Sequence, residues 1–444
     1  MSSVTDKLAV VRERLEPVAR KTPFRISVAF ICLCFHLGMF AAAGRARLDV
    51  PFNSAPGHAP YYSDPDAPAL LGYPRQPHYW SRLIVSRWDA QHYIGFAVRG
   101  LTACPDEPYP GSDMKYLQCG LTWFPAYGRA GGVVADTFHV PADFALLFLS
   151  LVACMVINLL WTSRSIIDRF GTFETYATLV AFNLFPSAFY LVTPYTEPAT
   201  FALMIAGFVC LMNDRWLSAG LLIGASTALR PTAFGYGFAF GCAILAAAWM
   251  KRRDGDPKWW RPLTAIPLAG WGLLANFVLL QIFVGDAFAY FRAGRIKNEW
   301  IGQTQGLEFW RVFDPEWYVQ GFGSQHADTV TVLACFGFLA LAGREALRRF
   351  KPPEAVFLIA ATVVMMLLPL MAETQYWGLN RYFLLAPLTF FALGIIARRH
   401  PAYFALWIVV SVAIYWHIEL CSYIAQGDPK VCPCLGKIEA LFPY

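Results

Sequence analysis

Apolar residues in this chain come in long runs, separated mostly by short polar joints and in two places by long polar stretches. A helix crossing a bilayer core needs about 20 mainly apolar residues. Runs near that length fall at 24–43, 142–162, 172–193, 196–212, 216–233, 234–250, 262–284, 329–343, 355–371, 381–397 and 402–420. The pattern predicts an all-α polytopic membrane protein with about eleven transmembrane helices, in which Pro194 and Pro231 mark kinks. Residues 121–135 are also apolar, but Pro125 and Gly128 interrupt them, as in a re-entrant or interfacial element. The first run, Ile26 to Ala43, is followed by "AAAG". It exceeds the roughly 7–15 residues of a signal-peptide core, so it is read as a retained helix.

The polar joints orient these spans, because Lys and Arg concentrate on the cytoplasmic side of membrane proteins. Lys7, Arg12, Arg14, Arg20, Lys21 and Arg25 precede or open the first span. If that end is cytoplasmic, alternate joints should be basic. They carry Arg164 and Arg169, then Arg215, then Lys251 to Arg253 with Lys258, then Arg344 to Lys351, then Arg398 and Arg399. One membrane-embedded domain, 1–444, follows, with a cytoplasmic segment 1–23 and a large first outer loop 44–141. A second outer loop covers 285–328 and an outer tail 421–444.

Composition agrees. The chain is 57% hydrophobic and only 15% charged, against about 25% charged in soluble domains. Its net charge of +6 is accounted for by the inner joints and calls for no nucleic acid partner. Cys32, Cys34, Cys154, Cys210, Cys242 and Cys335 lie in apolar runs, where a thiol acts as a small hydrophobe. Cys104, Cys119, Cys421, Cys432 and Cys434 fall in or beside polar segments; on an outer face Cys104 and Cys119 are a plausible disulfide pair. The Cys432–Cys434 spacing is not that of a zinc site and no histidine follows it, so neither metal nor other cofactor is expected.

Against that sparse use of charge, "RWDAQHY" places an arginine, a tryptophan, an aspartate, a histidine and a tyrosine within Arg87–Tyr93. Two readings of Asp89 fit: an N-cap for a helix from Ala90 to Arg99 stopped by Gly100, or a reactive carboxylate. Trp88 and Tyr93 suit a membrane interface. Three other segments reach the same face. "LVTPYTEP" brings Tyr195 and Glu197, "ALRPTAF" brings Arg230, and "AETQYWGLNRYF" brings Glu373, Gln375, Tyr376, Asn380 and Arg381. Either arginine alone would read as snorkelling to the interface. Two arginines and several carboxylates converging on one face read as a polar cavity, and ionisable residues at membrane depth are functional candidates by default.

In this order the segments resemble the PIG-V family, the GPI mannosyltransferase II type with its bacterial relatives, within the GT-C class of membrane glycosyltransferases. The resemblance is carried by "RWDAQHY", "LTWFPAYGRAGG", "FPSAFYLVTPYTEPATF", "ALRPTAF" and "NRYFLLAPLTFFAL", over roughly 80–400. Thr196 stands where the family has serine, and Pro231 where a small polar residue is common. The resemblance implies a GT-C fold and an inverting sugar transfer, most simply of mannose, from a polyprenyl-phosphate carrier to an acceptor hydroxyl at the outer face. The alanine- and arginine-rich composition points to a bacterial plasma membrane, where the acceptor would be a glycolipid or envelope glycan.

Such a transfer needs a base for the acceptor proton and positive charge for the leaving phosphate. Asp89 suits the first role, and Arg230 or Arg381 the second. Trp88 and Trp123 offer flat faces to sugar rings. His92 fits either a hydrogen bond to sugar or acceptor or a structural bond. Arg87, Tyr93, Tyr195 and Glu197, with Gln375, Asn380 and Tyr382, complete the expected sugar and acceptor contacts. Two rivals come from other classes. A lipid-linked sugar flippase would carry the same ligand without making product, and a non-catalytic membrane scaffold would not need Asp89, Glu197 and Arg230 on one surface.

Overall fold

The computed structural model describes residues 16–45, 89–101, 123–291, 313–316, 318, 326–372, 379–420 and 423. Among them every regular element is helical and no strand occurs. In chain order, α1 spans Thr22–Arg45, α2 Ala90–Arg99, α3 Ala126–Phe138, α4 Ala142–Trp161, α5 Arg164–Phe170, α6 Thr172–Asn183, α7 Thr196–Met212 and α8 Trp216–Thr227. They are followed by α9 (Phe234–Arg253), α10 (Trp271–Val284), α11 (His326–Phe338), α12 (Pro352–Ala372), α13 (Leu379–Phe383), α14 (Pro387–Arg399) and α15 (Pro401–Ile414).

Among the described residues, six helical segments are long and apolar enough to cross a membrane: Thr22–Ala43, Ala142–Trp161, Pro231–Arg253, Arg261–Val284, Asp328–Leu347 and Pro352–Met371. Large apolar side chains such as Phe30, Ile31, Leu245, Trp249, Ile282, Leu406 and Val409 point outward. A contiguous shell of that kind is stable against lipid and not against water. This is a multi-pass α-helical membrane protein.

Several runs that read as single spans are broken. The run 172–193 is helical only to Asn183; Pro186 follows, then a 3₁₀ turn at Ala188–Val192. The run 216–233 stops at Thr227 and resumes as a 3₁₀ turn at Pro231–Ala233. In 262–284 the first part, Arg261–Gly270, is 3₁₀ and contains Pro262 and Pro267. The run 381–397 divides into α13 and α14 ahead of Pro387, and 402–420 ends in a π-helical stretch, Tyr415–Leu420. The cause is local at the prolines, which lack an N–H and push the preceding residue out of the helical region. The 121–135 stretch contains a real helix, α3, whose left-handed His139 turns the chain directly into α4.

The core sits where α4, α6, α7 and α14 meet. Phe182, Phe201 and Phe391 stack on the fully buried Trp161 at ring separations of 5.0, 5.3 and 5.5 Å. Aromatic pairs of this geometry add about 0.5–1.5 kcal/mol each beyond area burial. A second seam is polar. His36 of α1 bonds Tyr415 at 3.1 Å and Asn183 of α6 at 3.2 Å, and Asn183 donates to Asn158 of α4 at 2.8 Å. The aromatic seam packs α7, which carries one residue of the site described next, against α4, α6 and α14.

Candidate functional site

Four separate segments contribute the charged residues. Asp89 immediately precedes α2, Glu197 lies in the first turn of α7, Arg230 sits in the break between α8 and α9, and Arg381 lies in α13. Prolines mark each of the last three segments: Pro198 directly follows Glu197, Pro231 directly follows Arg230, and Pro387 opens the helix after the one that holds Arg381. Broken helices at membrane depth expose backbone groups that must find partners inside the protein. Side chains supply them here. Ser187 donates to the Asn380 carbonyl at 3.0 Å, and Asp328 accepts from the Asn380 N–H at 2.8 Å. Asn276 donates to the Ala228 carbonyl at 2.9 Å, and Tyr236 to the Leu385 carbonyl at 2.5 Å. The irregular backbone is therefore held in place.

The α2–α3 pair forms one wall. The helix from Ala90 to Arg99 ends as read, with Gly100 at φ 79° and its N–H on the Phe96 carbonyl. Asp89 occupies the N-cap position, but its side chain makes no capping bond. Its carboxylate accepts from Arg381 Nη1 at 2.8 Å instead. Asp89 thus keeps the N-cap position, while its carboxylate pairs with a guanidinium and not with the N–H groups of the helix end. Gly128 and Gly132 of α3 lie against the α2 backbone, where a Cβ would sit 2.5 Å from the Tyr93 carbonyl or 2.7 Å from that of Ala97. Only glycine allows this approach, which is why "YGRAGG" carries the residues it does. It also lays His92 flat on Trp123, ring centroids 3.7 Å apart and planes 15° apart.

Glu197 stands at the centre. Its Oε1 lies 2.8 Å from Arg230 Nη1 and 3.3 Å from Arg381 Nε. Neither contact has hydrogen-bond geometry. Thr196 donates to the other carboxylate oxygen at 3.4 Å, and Tyr93 reaches Thr196 at 3.5 Å. Glu197, expected to contact sugar or acceptor, lies between the two arginines. The inner pair of this chain of charges is more buried than the outer pair. The Arg230 and Glu197 side chains are 8% and 1% exposed, those of Arg381 and Asp89 19% and 25%.

Aromatic rings enclose the cations. Tyr382 lies 4.9 Å from the Arg230 guanidinium carbon and 5.4 Å from that of Arg381. Tyr190 and Tyr195 lie 5.7 and 5.8 Å from Arg381, and Tyr423 packs against both of those tyrosines. Cation–π contacts of this kind are worth about 0.5–2 kcal/mol and hold a guanidinium plane without consuming its N–H donors. Tyr190 and Tyr423 were not singled out from sequence. Tyr190 lies in the quoted proline-bracketed segment, a usable signal; Tyr423 has none, since it belongs to the tail.

The structure thus brings together Asp89, His92, Tyr93, Trp123, Tyr195, Glu197, Arg230, Arg381 and Tyr382 through the contacts above. Asn380 sits beside Arg381 with its side chain fully buried, and its carboxamide bonds to no described residue. Arg87, Trp88, Glu373, Gln375 and Tyr376 lie outside the described residues, as do the polar-segment cysteines. The six cysteines of the apolar runs are free thiols. Among the described residues no group of three His, Cys, Asp or Glu is placed to hold a metal ion. Chemically, the site offers a partly exposed carboxylate next to two guanidiniums whose planar donor forks match phosphate oxygens. No protein-family model matches the chain, and no match is found among curated proteins.

Proposed function

We propose that this protein is an inverting membrane glycosyltransferase, of the GT-C class and similar to the PIG-V family, with about eleven membrane crossings. It takes a sugar, mannose first among the options, from a polyprenyl-phosphate carrier and joins it to a hydroxyl of a glycolipid or envelope glycan. The observation that carries this reading is the junction of Asp89 with Arg381, Glu197 and Arg230 in one aromatic-lined cluster. The Lys and Arg distribution supports a cytoplasmic N-terminus and a site on the outer face of a bacterial plasma membrane.

In this reading the acceptor oxygen attacks the anomeric carbon from the face opposite the phosphate. Asp89 takes the acceptor proton as the new C–O bond forms. The bond from the anomeric carbon to the phosphate oxygen breaks, and its electron pair leaves with the polyprenyl phosphate. A positioned base contributes about 10²–10⁴-fold. Each preorganised donor on a developing oxyanion contributes about 10²–10³-fold. No general acid is required, because the phosphate is a good leaving group once paired with arginine. Trp123, stacked on His92, gives a flat face suited to a pyranose ring.

The test is transfer itself. Protein purified into lipid nanodiscs is given radiolabelled polyprenyl-phosphate mannose and a lipid extract from cells lacking the gene. A labelled glycolipid of inverted anomeric configuration is the expected product. Label that crosses a sealed vesicle membrane while remaining on its carrier would contradict the reading and favour a flippase.

A further inference from the structure

The Asp89–Arg381 pair poses a problem for the reading above. A carboxylate 2.8 Å from a guanidinium is held in its charged form and is a poor proton acceptor. The same arginine, while it donates to Asp89, has that N–H occupied. Base and clamp are each other's partner in the structure.

Charge counting points to how the conflict resolves. Asp89 and Glu197 carry two negative charges, Arg230 and Arg381 two positive ones, so the four sum to zero. A sugar linked to polyprenyl phosphate is a phosphodiester monoanion. During transfer the phosphate gains a second negative charge while Asp89 becomes neutral by taking the acceptor proton. One unit of negative charge thus leaves Asp89 and appears on the phosphate, with the total unchanged. The cation between them must change partner.

Exposure decides which arginine moves. Arg230 and Glu197 are each under a tenth exposed, and separating them would strand a charge in the interior. Arg381 and Asp89 are a fifth to a quarter exposed, so a ligand can reach and open that pair. Arg381 is also ringed by Tyr190, Tyr195 and Tyr382, and its Nε makes no hydrogen bond among the described residues, so part of its donor fork is uncommitted.

We infer that Arg381 is a shared counter-ion: the donor phosphate competes with Asp89 for it, and the base is released for work only once donor is seated. The inference rests on the glycosyltransferase reading. It adds an order of events, donor before acceptor, and a safeguard, since an unoccupied site holds a masked base.

A double-mutant cycle tests it, with sugar-free polyprenyl phosphate as the probe, uncharged polyprenol as the control, and protein in nanodiscs. Removing the competitor should help the ligand. Asp89→Asn should bind polyprenyl phosphate about tenfold tighter than wild type, the scale of one charge-assisted hydrogen bond. Asp89→Ala should do the same. In an Arg381→Ala background the tightening should vanish, and in Arg381→Lys it should shrink. Melting curves in the same discs confirm that each variant is folded, and the Lys series serves if the Ala series is not. Binding by Asp89→Asn no tighter than wild type overturns the exchange. So does a tightening that persists undiminished without Arg381, because that is simple repulsion between Asp89 and phosphate. Wild type that binds polyprenyl phosphate no better than polyprenol removes the glycosyltransferase reading itself, a separate result.

Discussion

The two ends of the helix bundle treat ion pairs in opposite ways. At one end Arg20 pairs with Asp168 at 2.8 Å, Arg398 with Glu174 at 2.5 Å, Arg169 with Glu354 at 3.3 Å, and Arg399 with Glu345. At the other, Arg230 and Arg381 share Glu197, and Arg381 also holds Asp89. Helix α14 separates the two sets: Arg381 lies just before it and Arg398 at its end, about 20 Å apart along the axis. In the first set the arginines are a third to three-fifths exposed, so the cation keeps its water even where the carboxylate, as in Glu174 and Glu354, is buried; the Arg20–Asp168 pair, exposed on both sides, contributes about 0–1 kcal/mol. In the second set the cations are largely stripped of water, and desolvation consumes most of what the attraction provides. The first arrangement orients and solubilises a helix end. The second is a poor way to stabilise a fold, which makes a functional reason for it the better account.

That contrast can be broken by one pair of substitutions. Glu197→Ala leaves two buried guanidiniums without their shared counter-charge and should destabilise by about 3–5 kcal/mol. In nanodiscs this would be read as a large fall in melting temperature or failure to accumulate. Asp168→Asn removes a half-exposed partner and should stay within about 0.5 kcal/mol. Equal effects at the two positions would erase the distinction between the ends.

Smaller effects sharpen the picture at the α2–α3 wall. Gly128→Ala places a methyl 2.5 Å from the Tyr93 carbonyl, so it should destabilise by about 1–3 kcal/mol. Gly241 of α9 has nothing within 4 Å of the added carbon. Gly241→Ala should be neutral or raise stability by about 0.5–1 kcal/mol through lower chain entropy. Comparative unfolding of the two variants decides.

The smallest effect belongs to Asp256, in the joint after α9. The Lys258 backbone N–H, and then Lys251, hold its carboxyl below the usual carboxylate range. A group whose pKa is depressed by folding stabilises above its unfolded pKa and loses that contribution as pH falls through the folded one. The melting difference between wild type and Asp256→Asn should therefore be present at neutral pH and fade on acidification below the ordinary carboxylate range. A difference that grows with acid would reverse the assignment.

How much of this was legible in the sequence depends on the distance over which the signal acts. Helices α1, α4, α9 and α12 follow from uninterrupted apolar runs, and α2 from Asp89 and Gly100 at its ends. The break at Pro231 is legible as a proline kink, whereas those at Pro186 and Pro387 are not, because hydropathy sums side chains and does not register a missing backbone donor. Asp89 was legible as a special residue but not its partner: Arg381 is 292 positions away, and no local spacing encodes that pair. Glu197 is legible as a site residue for its charge, yet its position between Arg230 and Arg381 depends on where two broken helices put them. Tyr423 is beyond pattern reading altogether, since a lone aromatic in a tail has no period.

The central claim is that the cluster around Asp89 performs proton abstraction in a sugar transfer. Single-turnover transfer from polyprenyl-phosphate mannose, at saturating donor, measures that step directly. Asp89→Asn keeps size and polarity and removes only the basicity, so transfer should fall by about 10²-fold or more while the protein stays folded. Wild-type-like turnover in folded Asp89→Asn would contradict the account.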